Sequence, residues 1–182
     1  MTKIDLPRDA ELSDEIKAVL ALLPPVNVFR MAANAPKAAI PLIGMVRALM
    51  TEGSFDARLR EIAILRVAWV TRASYEWTQH AVLAKQVGVT EDQISAIAVM
   101  GPVTRLGPEA NLICRAADEI SLAVRISDEA LAQLLERYGR ALTTEIIICI
   151  SFYNMLSRFL ESTRVEIEPK LAISPDNVII PR

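Results

Sequence analysis

The sequence has few of the residues on which metal sites and disulfide frameworks depend. Its 182 residues include one histidine and two cysteines, Cys114 and Cys149, which lie far apart within apolar stretches. Cysteines placed in this way behave as small buried hydrophobic residues, whereas a redox pair or a disulfide scaffold has thiols at close or repeated spacing. One histidine and two separated cysteines also provide too few ligands for a zinc site. We therefore predict no metal, and a reducing, cytoplasmic environment.

An excess of charge of either sign is also absent. With 20 basic and 22 acidic residues, the formal net charge is −2, so no basic field attracts nucleic acid or anionic lipid. The chain has no uncharged apolar run of the roughly 18 residues that a membrane span needs, and no apolar signal segment near residue 1. Phosphate-binding loops and dinucleotide fingerprints are missing too. We predict no cofactor, no nucleic-acid partner and no membrane partner.

Hydrophobic residues, in contrast, are abundant. They make up 52% of the chain, and the mean hydropathy is +0.31. The length fits one domain, residues 1–182, better than two. Because a small protein this apolar often buries the excess between subunits, we expect a homo-oligomer.

The spacing of the apolar residues is helical. They recur every three or four positions, and no alternating β-branched runs occur, so the fold is predicted to be all-α with about six to eight helices. Prolines, glycines and capping residues place the helices at roughly 10–23, 36–50, 56–71, 75–87, 90–99, 109–124, 128–138 and 143–161, with a short segment near 28–33. Ser54 is the predicted N-cap of the third helix. Residues 165–182 are expected to form an extended C-terminal arm.

Acid/base residues are concentrated in the middle of the chain. Glu76 and His80 stand at i and i+4 on one predicted helix, so their side chains share a face and can form an acid/base pair. Glu61 precedes a very apolar run on the preceding helix and is a candidate second acid/base group. The alternatives are an ordinary surface pair for Glu76 and His80, and a structural ion pair with Arg58 or Arg66 for Glu61.

Other side chains near these residues are candidates for substrate binding. Arg66 is the only polar residue among the nine from Ile62 to Val70, and a buried guanidinium needs a partner or a function. Arg66 and Asn154 can grip a substrate carboxylate or form salt bridges and hydrogen bonds between helices. The aromatic residues Tyr75 and Trp77 can line a pocket or pack in the core.

Two segments carry a resemblance to a known family: REIAILRVA at 60–68 and YEWTQH at 75–80, followed by Gly88. They are similar to the signature of the carboxymuconolactone decarboxylase and alkylhydroperoxidase D-like family, most strongly over residues 55–97. The peroxidase branch of that family has a glutamate, then Cys-x-x-Cys-x-x-x-His. Here the glutamate and histidine match Glu61 and His80, but Ala73 and Glu76 stand at the two cysteine positions.

The decarboxylase branch has a motif similar to Tyr-Glu-x-x-x-His at the same place, and Tyr75, Glu76 and His80 match that motif. The resemblance implies a helical, cysteine-less domain that assembles as a trimer or hexamer. It also implies a cofactor-independent lyase that acts by general acid/base catalysis on a small unsaturated lactone or carboxylic acid in aromatic catabolism. A peroxidase activity is disfavoured because the thiol pair is missing, and a non-catalytic oligomeric ligand-binding protein is the third alternative.

Overall fold

The computed structural model describes residues 2–168, and within them every regular element is helical. This confirms the all-α prediction. The eight α-helices also agree with the predicted number. They are α1 (Asp14–Leu20), α2 (Asn27–Ala32), α3 (Pro36–Arg47), α4 (Ala57–Thr71), α5 (Ser74–Gln86), α6 (Glu91–Ile97), α7 (Pro108–Ala123) and α8 (Asp128–Thr163). A 3₁₀ turn at Asp9–Glu11 precedes α1, and a π-helical turn at Ala48–Glu52 follows α3.

Contacts divide the chain into two compact units. The first holds residues 2–53 together with residues 160–168. Its helices α1, α2 and α3 bury Ile16, Met31 and Ala39 to within 2% exposure. The backbone N–H of Ile4 donates to the carbonyl of Thr163, which ties the start of the chain to the end of α8.

The second unit, residues 54–159, is built around α4. This helix packs against α5, α6 and α7, and every residue from Leu59 to Ala68 is buried. Since α4 is apolar on nearly all sides, only surrounding helices can remove it from water. Glu61 and Arg66 are thereby carried into the core of this unit.

Several helix boundaries differ from the predictions. The first predicted helix, 10–23, is a 3₁₀ turn followed by the shorter α1, which Ser13 caps by accepting from the N–H of Ile16. The N-cap of α4 is Asp56, whose carboxylate accepts from the N–H of Leu59, and not Ser54. Ser54 instead donates its backbone N–H to Glu145 at 3.0 Å.

The break predicted at Gly139 is present within α8. Gly139 has φ 68° and ψ 177°, a conformation that side-chain-bearing residues rarely adopt. The predicted arm at 165–182 lies mostly outside the described residues, and the single domain stays a prediction. Across residues 2–168, the structure has no helix with the length and hydropathy that a membrane span requires.

Candidate active site

The connection between α4 and α5 brings the predicted acid/base residues together. α4 ends at Thr71, and its C-cap Arg72 takes the left-handed conformation with φ 58° and ψ 34°. α5 begins two residues after this cap, at Ser74. The chain reverses in this short turn, so that α5 packs against α4. Glu61 on α4 and His80 on α5, 19 positions apart in sequence, thereby come into contact.

Two carboxylates hold the single imidazole ring from opposite sides. Nδ1 of His80 lies 2.7 Å from Oε2 of Glu61, and its Nε2 lies 3.2 Å from Oε2 of Glu76. His80 is 6% exposed, Glu61 1% and Glu76 3%. We call them the carboxylate–histidine cluster. Glu76 and His80 are thus a buried pair, and the alternative that they form an ordinary surface pair is wrong.

The cluster stabilises a charged imidazole. Burial by itself lowers the pKa of His80, but the charges and hydrogen bonds of Glu61 and Glu76 outweigh it and raise the pKa to about 10. With both ring nitrogens facing carboxylates, only the imidazolium can donate to both at once. The cluster therefore holds a proton at neutral pH and shares it among three groups.

Two further residues border the cluster that sequence reasoning did not select. The ring of Tyr153 on α8 stands edge-on to that of His80, with centroids 5.0 Å apart and planes at 87°. Burial, and then the charges of Glu76 and Glu61, raise the pKa of Tyr153 well above its usual value. Tyr153 had no signal in the sequence, because it reads as one more apolar position of α8.

Arg60 is the second such residue. Its Nε lies 3.8 Å from Oε1 of Glu61, and its side chain is 10% exposed. Within residues 2–168, this buried Nε has no hydrogen-bond acceptor. Arg60 thus supplies positive charge beside Glu61, where the sequence suggested Arg58 or Arg66. Its position next to Glu61 in the motif was the only available signal.

Arg66 has a different environment. Its Nε and Nη2 donate to the two carboxylate oxygens of Asp118 on α7, at 2.5 and 3.0 Å. The remaining donors reach the carbonyls of Ile97, Val99 and Gly101 at 2.6–2.9 Å. All five N–H groups are therefore used inside the protein. This geometry corrects the substrate-binding interpretation of Arg66, because no donor is left for a ligand, and supports an ion pair between helices.

Asn154 is also used internally. Its amide nitrogen donates to the hydroxyl of Ser121 at 2.8 Å and to the carbonyl of Ile150 at 3.1 Å. Its amide oxygen accepts from Arg158 at 2.5 Å. The side chain joins α8 to α7, so the structure places it in a packing role and not in a pocket.

Tyr75 and Trp77, the two aromatic residues predicted to bind substrate, lie in different surroundings. Tyr75 is 2% exposed and belongs to the core. Trp77 lines a cavity of about 400 Å³ at the start of α5, which we call the tryptophan pocket. Its lining consists of Ala68, Trp69, Arg72, Ala73, Ser74, Trp77, Thr78 and Met100. Trp77 and His80, at i and i+3 on α5, are neighbours on the surface of that helix.

Residues 36–119 match the model of the carboxymuconolactone decarboxylase family. Over these residues, less than half of the chain, the sequence is similar to that family. No protein in the curated set matches the sequence.

Two solved structures share the fold of this chain. An uncharacterized peroxidase-related protein from Silicibacter sp. TM1040 matches with a TM-score of 0.77 and 18% identity over 92% of each chain. One from Ralstonia eutropha JMP134, described as an alkylhydroperoxidase AhpD core, matches with a TM-score of 0.77 and 15% identity over 95% of each chain. At these identities the likeness concerns the fold, which is AhpD-like.

Neither thiol of the chain lies on α5, the helix that carries Glu76 and His80. Cys114 on α7 and Cys149 on α8 are free and buried, and burial raises the pKa of each to about 12. A thiol with such a pKa is not a nucleophile at neutral pH. Among the described residues, no group of three His, Cys, Asp or Glu side chains is arranged to hold a metal ion.

Proposed function

We propose that the protein is a cofactor-independent acid/base lyase of the carboxy-lyase type, acting on a small unsaturated lactone or carboxylic acid. The observation that carries this proposal is the carboxylate–histidine cluster, with an imidazole held between Glu61 and Glu76 at 2.7 and 3.2 Å. A buried proton shared by three groups is suited to general acid/base catalysis. The similarity of residues 36–119 to the carboxymuconolactone decarboxylase family supports the substrate class.

The geometry suggests a role for each member of the cluster. Both ring nitrogens of His80 face carboxylates, so the ring is a relay and Glu76 is the group that exchanges the proton with the substrate. Glu61, the most deeply buried at 1% exposure, holds Nδ1 and keeps the ring charged. Glu76 stands one residue before Trp77, which lines the tryptophan pocket.

The chemistry requires no cofactor. When the bond between the substrate and its carboxylate carbon breaks, carbon dioxide leaves and the electron pair passes into the unsaturated carbonyl system. The imidazolium of His80 passes its proton to the carboxylate of Glu76, Glu76 delivers it to carbon of the resulting dienolate, and a proton from solvent then recharges the imidazole. Apolar walls around the substrate exclude water and strengthen the electrostatic interactions with the developing negative charge.

Proton NMR in heavy water tests this proposal. Carboxymuconolactone and related unsaturated lactones and β-keto acids are incubated with the wild type, with Glu76→Gln and with His80→Gln. We expect the wild type to consume one member of the panel, with one deuterium incorporated on carbon. Each variant should lose about 10²–10⁴-fold in rate, since placed proton-transfer groups contribute that much.

A matched control is Lys85→Ala, at the other end of α5, which removes an exposed ion pair with Glu91 in which no residue of the cluster takes part. It should turn over like the wild type. A His80→Gln variant with wild-type turnover would contradict the role of the cluster. A wild type that leaves the whole panel unchanged, yet binds one member, would favour a non-catalytic binding protein.

A further inference from the structure

The tryptophan pocket contains both tryptophans of the chain. The rings of Trp69 and Trp77 have centroids 5.4 Å apart and planes inclined at 55°, and Ala68, Ala73 and Met100 complete the apolar walls. The volume of about 400 Å³ is within the roughly 300–1,000 Å³ typical of small-molecule sites. The lining therefore suits a flat ligand with an extended π system.

The indole of Trp69 is held in place from outside the pocket. Its Nε1 donates to the carbonyl of Val99 at 3.0 Å, in the loop that Arg66 also fixes through the same carbonyl. The polar atom of the ring is therefore satisfied, and the rest of the ring is available for apolar contact. A rigid aromatic wall loses little conformational entropy when a ligand binds.

Arg72 adds one positive charge to this apolar lining. Arg72 is exposed, and within residues 2–168 its side chain has neither an ion pair nor a hydrogen bond. Its left-handed backbone, φ 58°, is the conformation in which glycine is the usual residue at a helix end. The pocket thus combines two indole rings with an unpaired guanidinium, which can bind a carboxylate through two parallel hydrogen bonds.

We propose that the tryptophan pocket binds a planar, unsaturated carboxylate, with its π system against Trp69 and Trp77 and its carboxylate on Arg72. Charge complementarity selects an anion over a neutral amide, and the indole walls select a planar chain over a saturated one. Only the identification of this ligand as the substrate rests on the proposed function. In that case Arg72 orients the substrate through its carboxylate beside the helix that carries Glu76 and His80.

Tryptophan fluorescence tests the proposal directly, since both fluorophores line the pocket. The probes are sorbate, its neutral amide and saturated hexanoate, with excitation where tryptophan alone absorbs. We expect saturable quenching by sorbate, and affinities for the amide and for hexanoate that are lower by about tenfold or more. Absence of a saturable change with sorbate, or equal affinity for the three probes, would overturn the proposal.

Two variants separate ligand binding from folding. Arg72→Gly removes the guanidinium and places the favoured residue in the left-handed position, so the fold should be retained while sorbate affinity falls about tenfold or more. Arg125→Ala, which removes an exposed arginine paired with Asp128, should bind like the wild type. Wild-type sorbate affinity in Arg72→Gly, or an equal loss in Arg125→Ala, would overturn the role of Arg72.

The outcome is independent of catalysis. Saturable sorbate binding that depends on Arg72, together with an unchanged lactone and keto-acid panel, would support the pocket and contradict the lyase. Turnover of the panel without sorbate binding would support the lyase and overturn the pocket.

Discussion

The surroundings of Arg66 and of His80 are two solutions to the same problem, a charged side chain in the interior of residues 54–159. Around Arg66, five N–H donors meet five acceptors: the two oxygens of Asp118 and three backbone carbonyls. A buried ion with every hydrogen bond made has no reason to move, and its main effect is structural. Arg66 joins α4 to α7 and to the loop after α6.

Around His80 the charges are not matched in this way. One imidazolium stands between two carboxylates, and Arg60 approaches Glu61 only to 3.8 Å. The Nε of Arg60 has no acceptor among the described residues. Where one proton is shared by three groups, a small change in the surroundings redistributes it, and this property is useful for catalysis. Burial is common to both kinds of site, and the completeness of hydrogen bonding distinguishes them.

The largest effect expected from this difference is on stability. Arg66→Met leaves Asp118 and three carbonyls without their donors, and we expect a loss of about 3–5 kcal/mol in the free energy of unfolding. Arg60→Met, on the same helix, should cost clearly less, since the Nε of Arg60 donates no hydrogen bond in the described residues. Urea unfolding of both variants measures the two losses. Equal losses would show that the two arginines do not differ in this way.

The sequence predicted the helices better than their ends. The helical period of the apolar residues is a local property, so α4, α5 and α7 were recognisable from it. The N-cap of α4 was not, because Ser54 and Asp56 are both good capping residues. The choice depends on Glu145, 91 positions away in sequence, which binds the backbone N–H of Ser54.

The candidate site was predicted in part. The contact of Glu76 with His80 follows from their i, i+4 spacing, but that of Glu61 with His80 was suggested only by the family resemblance. The sequence did not show which arginine has all its donors used, since the acceptors of Arg66 come from α7, from the last residue of α6 and from the loop that follows. Tyr153 reaches the ring of His80 from α8, and no local pattern reports such a contact between distant helices.

A smaller but more specific effect concerns the charge of His80. Its pKa of about 10 in the folded protein is above the value near 6.5 of an unfolded chain. Its contribution to stability is therefore fully present below about pH 6.5 and is lost as the pH rises through about 10. Since the chain has one histidine, nitrogen-detected NMR of a protein without a histidine tag follows this ring alone. A titration midpoint near 6.5 would contradict the buried, doubly bonded imidazolium.

A variant of Arg60 tests the cause of the raised pKa of His80 in the same titration. Removing its positive charge in Arg60→Met should raise the pKa of His80 further, because the two carboxylates are then opposed by one cation fewer. Arg58→Met is the matched control, two positions earlier on α4, and should leave the titration of His80 nearly unchanged. An equal shift in both variants would indicate a general effect of net charge and not the proximity of Arg60 to Glu61.

The smallest effect is expected from the cysteines. Because burial raises the pKa of Cys114 and Cys149 to about 12, neither provides a thiolate at neutral pH. The double variant Cys114→Ala, Cys149→Ala should therefore retain the turnover of the panel in the NMR assay within about twofold, at a small cost in packing stability. Alkylation of the folded wild type should be slow for the same reason. Loss of turnover in the double variant, with the fold intact by circular dichroism, would instead support a mechanism with a thiol nucleophile. In that mechanism the carboxylate–histidine cluster would transfer protons to and from the sulfur.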